Sequence, residues 1–152
     1  MTICDQIALD ELCDAFKDAK RGEMIRNPMH CSECEAANNF LNSLDASDVT
    51  LNDIGDRAGF DYFSMISDSG YIYFIPSLCR IALEENPEGI SYLLQRLGRA
   101  HKVIKDENQK NAIIKFLNYL NEMNYVRDRF ERKELHAVLK NLTLSGTPES
   151  GC

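Results

Sequence analysis

Tryptophan is absent from this 152-residue chain, prolines number four and glycines eight. No apolar stretch approaches the roughly 18 residues that a membrane-spanning helix needs, which excludes a helical membrane protein. Positive charge is also short: 17 Lys+Arg face 24 Asp+Glu, for a formal net charge of −7. That balance excludes a general nucleic-acid binder, because such proteins draw their affinity from clustered cations that neutralise phosphates. Residues 1–5 lack the basic and then apolar character of a secretory leader, so a cytoplasmic protein is expected. The G-x-S-x-G elbow and the G-x-x-x-x-G-K phosphate cradle are missing too. His101 and His136 have no nucleophile patterned around them, and Asp53, Asp56 and Asp61 do not match the register of an EF-hand calcium loop. Nothing nominates an enzyme, and the reading leans away from one.

What the chain does carry is helical periodicity. Ile7, Leu9, Leu12, Cys13 and Phe16 recur near a 3.6-residue spacing and predict an amphipathic helix over 5–20. Residues 21–29 read as a linker, loosened by Gly22 and turned at Asn27-Pro28. Ser32-Glu33-Cys34-Glu35 fits an S-x-x-E capping box, which starts a helix to about Leu44 with Cys34, Ala37, Leu41 and Leu44 on one face. Thr50-x-x-Asp53 predicts a single turn carrying Leu51 and Ile54, ended by Gly55. Over 70–85, Tyr71 to Ile75 alone would suit a buried strand. Ile72, Ile75, Cys79 and Ala82 favour a helix, either kinked at Pro76 or starting there.

Asn86-Pro87 is a fresh helix start, with Leu93, Leu94 and Leu97 as its apolar face and Gly98 as its end. The longest helix is expected over 106–125, burying Ile113, Phe116, Leu117 and Leu120, and a last one over 132–142. The fold class is therefore mainly α: a bundle of five to six helices with an irregular acidic region and at most one short strand. Residues 1–142 are read as one domain and 143–152 as a disordered tail.

Charge and cysteine supply the candidate sites. Residues 45–68 hold six aspartates against Arg57 alone. Such a field steers basic partners, which makes Asp48, Asp53, Asp56 and Asp61 candidate contacts, with Phe60 and Tyr62 as aromatic anchors. Six cysteines stand at 4, 13, 31, 34, 79 and 152; without a secretory context they read as reduced thiols, and Cys13 and Cys79 as small core residues. His30-Cys31-Ser32-Glu33-Cys34 is the one close grouping of ligand-type residues. Zinc at His30, Cys31 and Cys34 would need a fourth ligand, since no second close pair exists. A redox dithiol would profit from a helix N-terminus but lacks the βαβ setting of thioredoxin-like sites. Plain packing explains the spacing and is the preferred reading, with Cys34 heading the apolar stripe and Cys31 stapling the first turn.

The order of these features resembles a family of small uncharacterised bacterial cytosolic proteins. The likeness rests on His30-Cys31-x-x-Cys34, Leu51-x-x-Ile54-Gly55, Phe60-Asp61 and Gly70-Tyr71-x-Tyr73-x-x-Pro76-x-Leu78, and it covers about residues 5–85. Members of that family often carry tryptophan near the position of Phe60, which this chain does not. The resemblance implies a bacterial cytosolic protein and assigns no catalytic residues. The expectation is then a non-enzymatic protein, immunity- or antitoxin-like, whose acidic surface engages a basic partner without a cofactor; a homo-oligomer is compatible with it. The alternative is a zinc-supported or thiol-dependent protein built on His30, Cys31 and Cys34.

Overall fold

The structure, a computed structural model, describes residues 1–54, 62–85 and 87–145. It is all-α: among the described residues there are seven α-helices and no strand. The helices are α1 (Ile3–Ala15), α2 (Ser32–Ser43), the single turn α3 (Leu51–Ile54), α4 (Asp68–Glu84), α5 (Glu88–Ala100), α6 (Glu107–Glu122) and α7 (Arg129–Ser145). Short 3₁₀ turns cover Tyr62–Met65 and His101–Val103. No helix among the described residues is long and apolar enough to cross a membrane.

The chain forms two compact units, Ala19–Ser77 on the one hand and Met1–Asp18 with Leu78–Cys152 on the other. In the latter, α1 packs on α6, and both α5 and α6 pack on α7. Helix α1 begins at Ile3 rather than at residue 5 because Thr2 caps it: its hydroxyl accepts the Asp5 amide at 3.0 Å, and the Asp5 carboxylate accepts the Thr2 amide at 2.9 Å. Leu9, Leu12 and Phe16 are buried, but Ile7 and Cys13 are exposed, so the apolar face is narrower than the periodicity predicts. Ile7 lies two residues from Leu9, about 200° around the helix, and so turns away from the packed side.

Asp5 is itself 2% exposed and ties this unit together. The Tyr119 hydroxyl donates to Oδ1 at 2.6 Å, and Tyr125 donates to both carboxylate oxygens at 2.9 and 3.0 Å. Tyr125 reaches it because α6 stops at Glu122, short of the predicted 125. Asn124 takes a φ of 60° there, and the Tyr125 and Asn124 amides return to the Leu120 and Asn121 carbonyls, a Schellman turn. Burial pushes the Asp5 carboxyl up, but the bonds from Tyr119, the Thr2 amide and Tyr125 outweigh it and hold the group below its ordinary value. Burial and the same carboxylate push Tyr119 up to about 12.

Helix α4 settles the Pro76 alternatives: the proline lies inside the helix, which starts eight residues before it. An interior proline costs about 3 kcal/mol or more. Its neighbours Phe74, Ile75 and Leu78 are buried, each worth about 1.5–3 kcal/mol, so burial outweighs the lost backbone bond. Helix α5 runs through Gly98 instead of ending there; the buried Leu93, Leu94 and Leu97 hold the segment, and one interior glycine costs only about 1 kcal/mol. Pro87 is its N-cap rather than its first residue, while Asn86 lies outside the described residues. Gly89 is dictated by close approach, since a Cβ there would sit 2.4 Å from the Ile81 carbonyl oxygen. At 16 residues α6 is shorter than α4 and α7, with 17 each. Helix α7 starts at Arg129, before the predicted 132, because the Asp128 carboxylate accepts the Phe130 amide at 2.7 Å.

In the Ala19–Ser77 unit, α2 packs against the Tyr62–Met65 turn, and Phe63 and Phe74 meet edge to face at 5.2 Å between ring centres. The stretch predicted as a linker is held down firmly. Met24 is fully buried, its carbonyl accepts the Ser67 amide at 2.7 Å, and the hydroxyls of Ser67 and Ser69 bind the Glu23 carbonyl. Gly22 supports that path with a φ of 61°.

Candidate functional site

Helix α2 is held by Arg21 at one end and carries a pair of cysteines at the other. Ala37 and Leu41 are fully buried, which sets the rotation of the helix. At its C-terminus the Arg21 guanidinium donates to the Leu41 carbonyl at 2.9 Å and the Leu44 carbonyl at 2.6 Å, and it lies 4.7 Å from the Tyr73 ring centre. Those are orphan helix carbonyls at the negative end of the helix dipole, where a cation is favourable. Arg21 is a positioning residue with no signature in sequence, because it stands in an irregular segment 20 residues before its first acceptor.

The N-terminus starts one residue earlier than the S-x-x-E pattern predicts. The His30 amide closes a turn on the Asn27 carbonyl at 3.2 Å, and the chain then reaches Cys31 in an extended conformation, φ −159° and ψ 171°. Cys31, not Ser32, is therefore the N-cap, and its sulfur accepts the Cys34 amide at 3.3 Å. Cys31 Sγ and Cys34 Sγ are 3.1 Å apart. Cys31 is exposed and does not staple the first turn, whereas Cys34 is half-buried at the head of the apolar stripe. The ligand atoms of His30, Cys31 and Cys34 all lie within 4.8 Å of one another, close enough to share one metal ion.

The two sulfurs differ chemically. With Cys31 ionised, the Cys34 thiol donates to it, as do the His30 side chain and the Cys34 amide, and these bonds bring Cys31 from 9.0 down to about 7. Cys34 is raised by its role as donor to Cys31. Elsewhere, Cys79 is buried, which pushes its thiol well above the ordinary range and makes it inert. Cys4 and Cys13 are exposed.

The acidic candidates are less convergent. Asp48 is exposed in a turn whose closing bond runs from its amide to the Asp45 carbonyl at 2.9 Å. Asp53 accepts the Thr50 amide and hydroxyl at 2.8 and 3.0 Å and so serves the start of α3. Asp45 is held below its ordinary value by the Ser47 amide and hydroxyl. Tyr62 opens the 3₁₀ turn, while Asp56, Phe60 and Asp61 lie outside the described residues.

No protein-family model matches the chain, and neither the curated proteins nor the solved structures compared with it give a match.

Proposed function

We propose that this protein takes part in thiol–disulfide exchange, with Cys31 as the attacking sulfur and Cys34 as the resolving one. The observation that carries this reading is the 3.1 Å contact between an exposed N-cap sulfur and a half-buried second sulfur at the start of a helix. The Cys31 thiolate attacks one sulfur of a substrate disulfide, forming a mixed disulfide and releasing the other half as a thiolate. Cys34, on losing its proton, attacks Cys31 Sγ; the Cys31–Cys34 disulfide forms and the second half leaves as a thiolate. The two released thiolates take up the two protons, and the substrate disulfide has gained two electrons. His30 orients the Cys31 sulfur through its side-chain bond.

Zinc is the second reading, favoured by the clustering of three donor atoms. A tetrahedral zinc with sulfur at about 2.3 Å keeps two sulfurs about 3.8 Å apart. The sulfurs here are closer than that, and no fourth ligand joins the three among the described residues. The acidic stretch that begins at Asp45 follows the opposite end of α2, and its exposed Asp48 is kept as a docking contact for a basic partner.

Cys34→Ser tests the assignment. Incubated with a small disulfide, the variant is expected to accumulate a stable mixed disulfide on Cys31, mapped by peptide mass, where the parent protein passes on to an intramolecular bond. A Cys31 that stays free in both proteins, or a zinc ion that purifies with the parent and is lost in the variant, overturns the exchange reading.

A further inference from the structure

The dithiol sits in a mainly acidic setting. Glu33 and Glu35 are exposed on the first turn of α2, beside the two sulfurs, and the Glu33 charge acts directly on Cys34. Residues 19–77 hold nine acids against four bases. Of those bases, Arg21 is engaged with the Leu41 and Leu44 carbonyls at the far end of α2, Arg57 lies outside the described residues, and Lys20 and Arg26 are exposed, Arg26 five residues before Cys31 and Glu33 and Glu35 two and four after it. Met29, next to His30, is 80% exposed and offers an apolar surface rather than a counter-charge.

We infer that the Cys31–Cys34 pair selects disulfides flanked by positive charge, such as one within a basic peptide or protein segment, and discriminates against anionic disulfides. The inference rests on the exchange reading above and names its substrate class. Its physical basis is simple: the attacking thiolate and two neighbouring carboxylates repel an anionic reagent and draw in a cationic one. At separations of about 10 Å in water the two carboxylates together change the local concentration of a singly charged group about fourfold. The contrast between cationic and anionic reagents is then on the order of tenfold. The helix N-terminus opposes this with about half a positive charge, which two full charges exceed.

The test compares cystamine, which is cationic, with oxidised glutathione, which is anionic. Rates of mixed-disulfide formation on Cys31 in the full chain are measured by peptide mass, and each is divided by the rate of the same reagent with dithiothreitol to remove its intrinsic reactivity. The corrected cystamine-to-glutathione ratio is expected to be about tenfold at low ionic strength and to fall toward one in 1 M salt, where the screening length is about 3 Å. Glu33→Gln with Glu35→Gln should lower the low-salt ratio several-fold; because the ratio is taken on one protein, any change in sulfur nucleophilicity cancels. A ratio near one that ignores salt overturns the charge selectivity while leaving the exchange reading intact. Reaction of neither reagent at Cys31 overturns both.

Discussion

Helices α1 and α2 open with the same device. In each, the cap side chain accepts the amide three residues on, Thr2 from Asp5 at 3.0 Å and Cys31 from Cys34 at 3.3 Å, and the residue three on reaches back toward the cap. At α1 the returning group is a carboxylate, 2% exposed and saturated by two tyrosine hydroxyls. At α2 it is a thiol, and the cap sulfur that it meets is open to solvent. One helix start is locked and the other is left open to solvent. Capping geometry alone therefore does not mark a functional site; what separates the two is whether the surrounding side chains use up the polar groups that the cap exposes.

The largest expected effect lies on the locked side. Asp5→Ala removes a cap bond and strands two tyrosine hydroxyls, so a loss of about 3 kcal/mol, or roughly 10 °C in melting temperature, is expected in thermal unfolding. The same carboxylate makes stability depend on pH. Its folded pKa lies below the unfolded value of 3.8, so its contribution is complete above about pH 5 and is lost as pH falls through the folded value. The stability gap between the parent and Asp5→Asn should accordingly narrow as pH falls below about 5 in urea titrations. A constant gap would mean that the carboxylate charge is not what the tyrosines recognise.

Tyr119→Phe removes one of the donors and should cost about 1 kcal/mol, read from the same titrations. The smallest effect belongs to α2. Cys31→Ser keeps an oxygen acceptor at the cap, and serine ranks among the strongest N-caps, so the melting temperature should stay within about 2 °C of the parent. A collapse of stability in that variant would make Cys31 a structural residue and erase the contrast between the two helices.

The helical character of the chain was readable from spacing, down to the single turn at Leu51–Ile54 announced by Thr50 and Asp53. The boundaries moved where local chemistry acts on single residues: Thr2 and Asp128 open helices earlier than the apolar pattern does, and Asn124 ends α6. The His30-Cys31-x-x-Cys34 grouping was visible, but packing was the preferred explanation of its spacing. Spacing does not give the exposure of Cys31 or the sulfur–sulfur distance, which depend on the turn over 27–30. Asp5, Tyr119 and Tyr125 could not be paired in advance, because a lone aspartate in an acidic helix gives no sign that two tyrosines more than a hundred residues away will close on it.

The most direct measurement is a redox titration of the reduced protein in cystamine–cysteamine buffers, followed by peptide mass mapping. The account predicts one reversible two-electron transition in which the peptide carrying Cys31 and Cys34 loses two hydrogens while Cys79 stays a thiol. Persistence of both Cys31 and Cys34 as free thiols, or as separate mixed disulfides across the whole range of buffers, would contradict it.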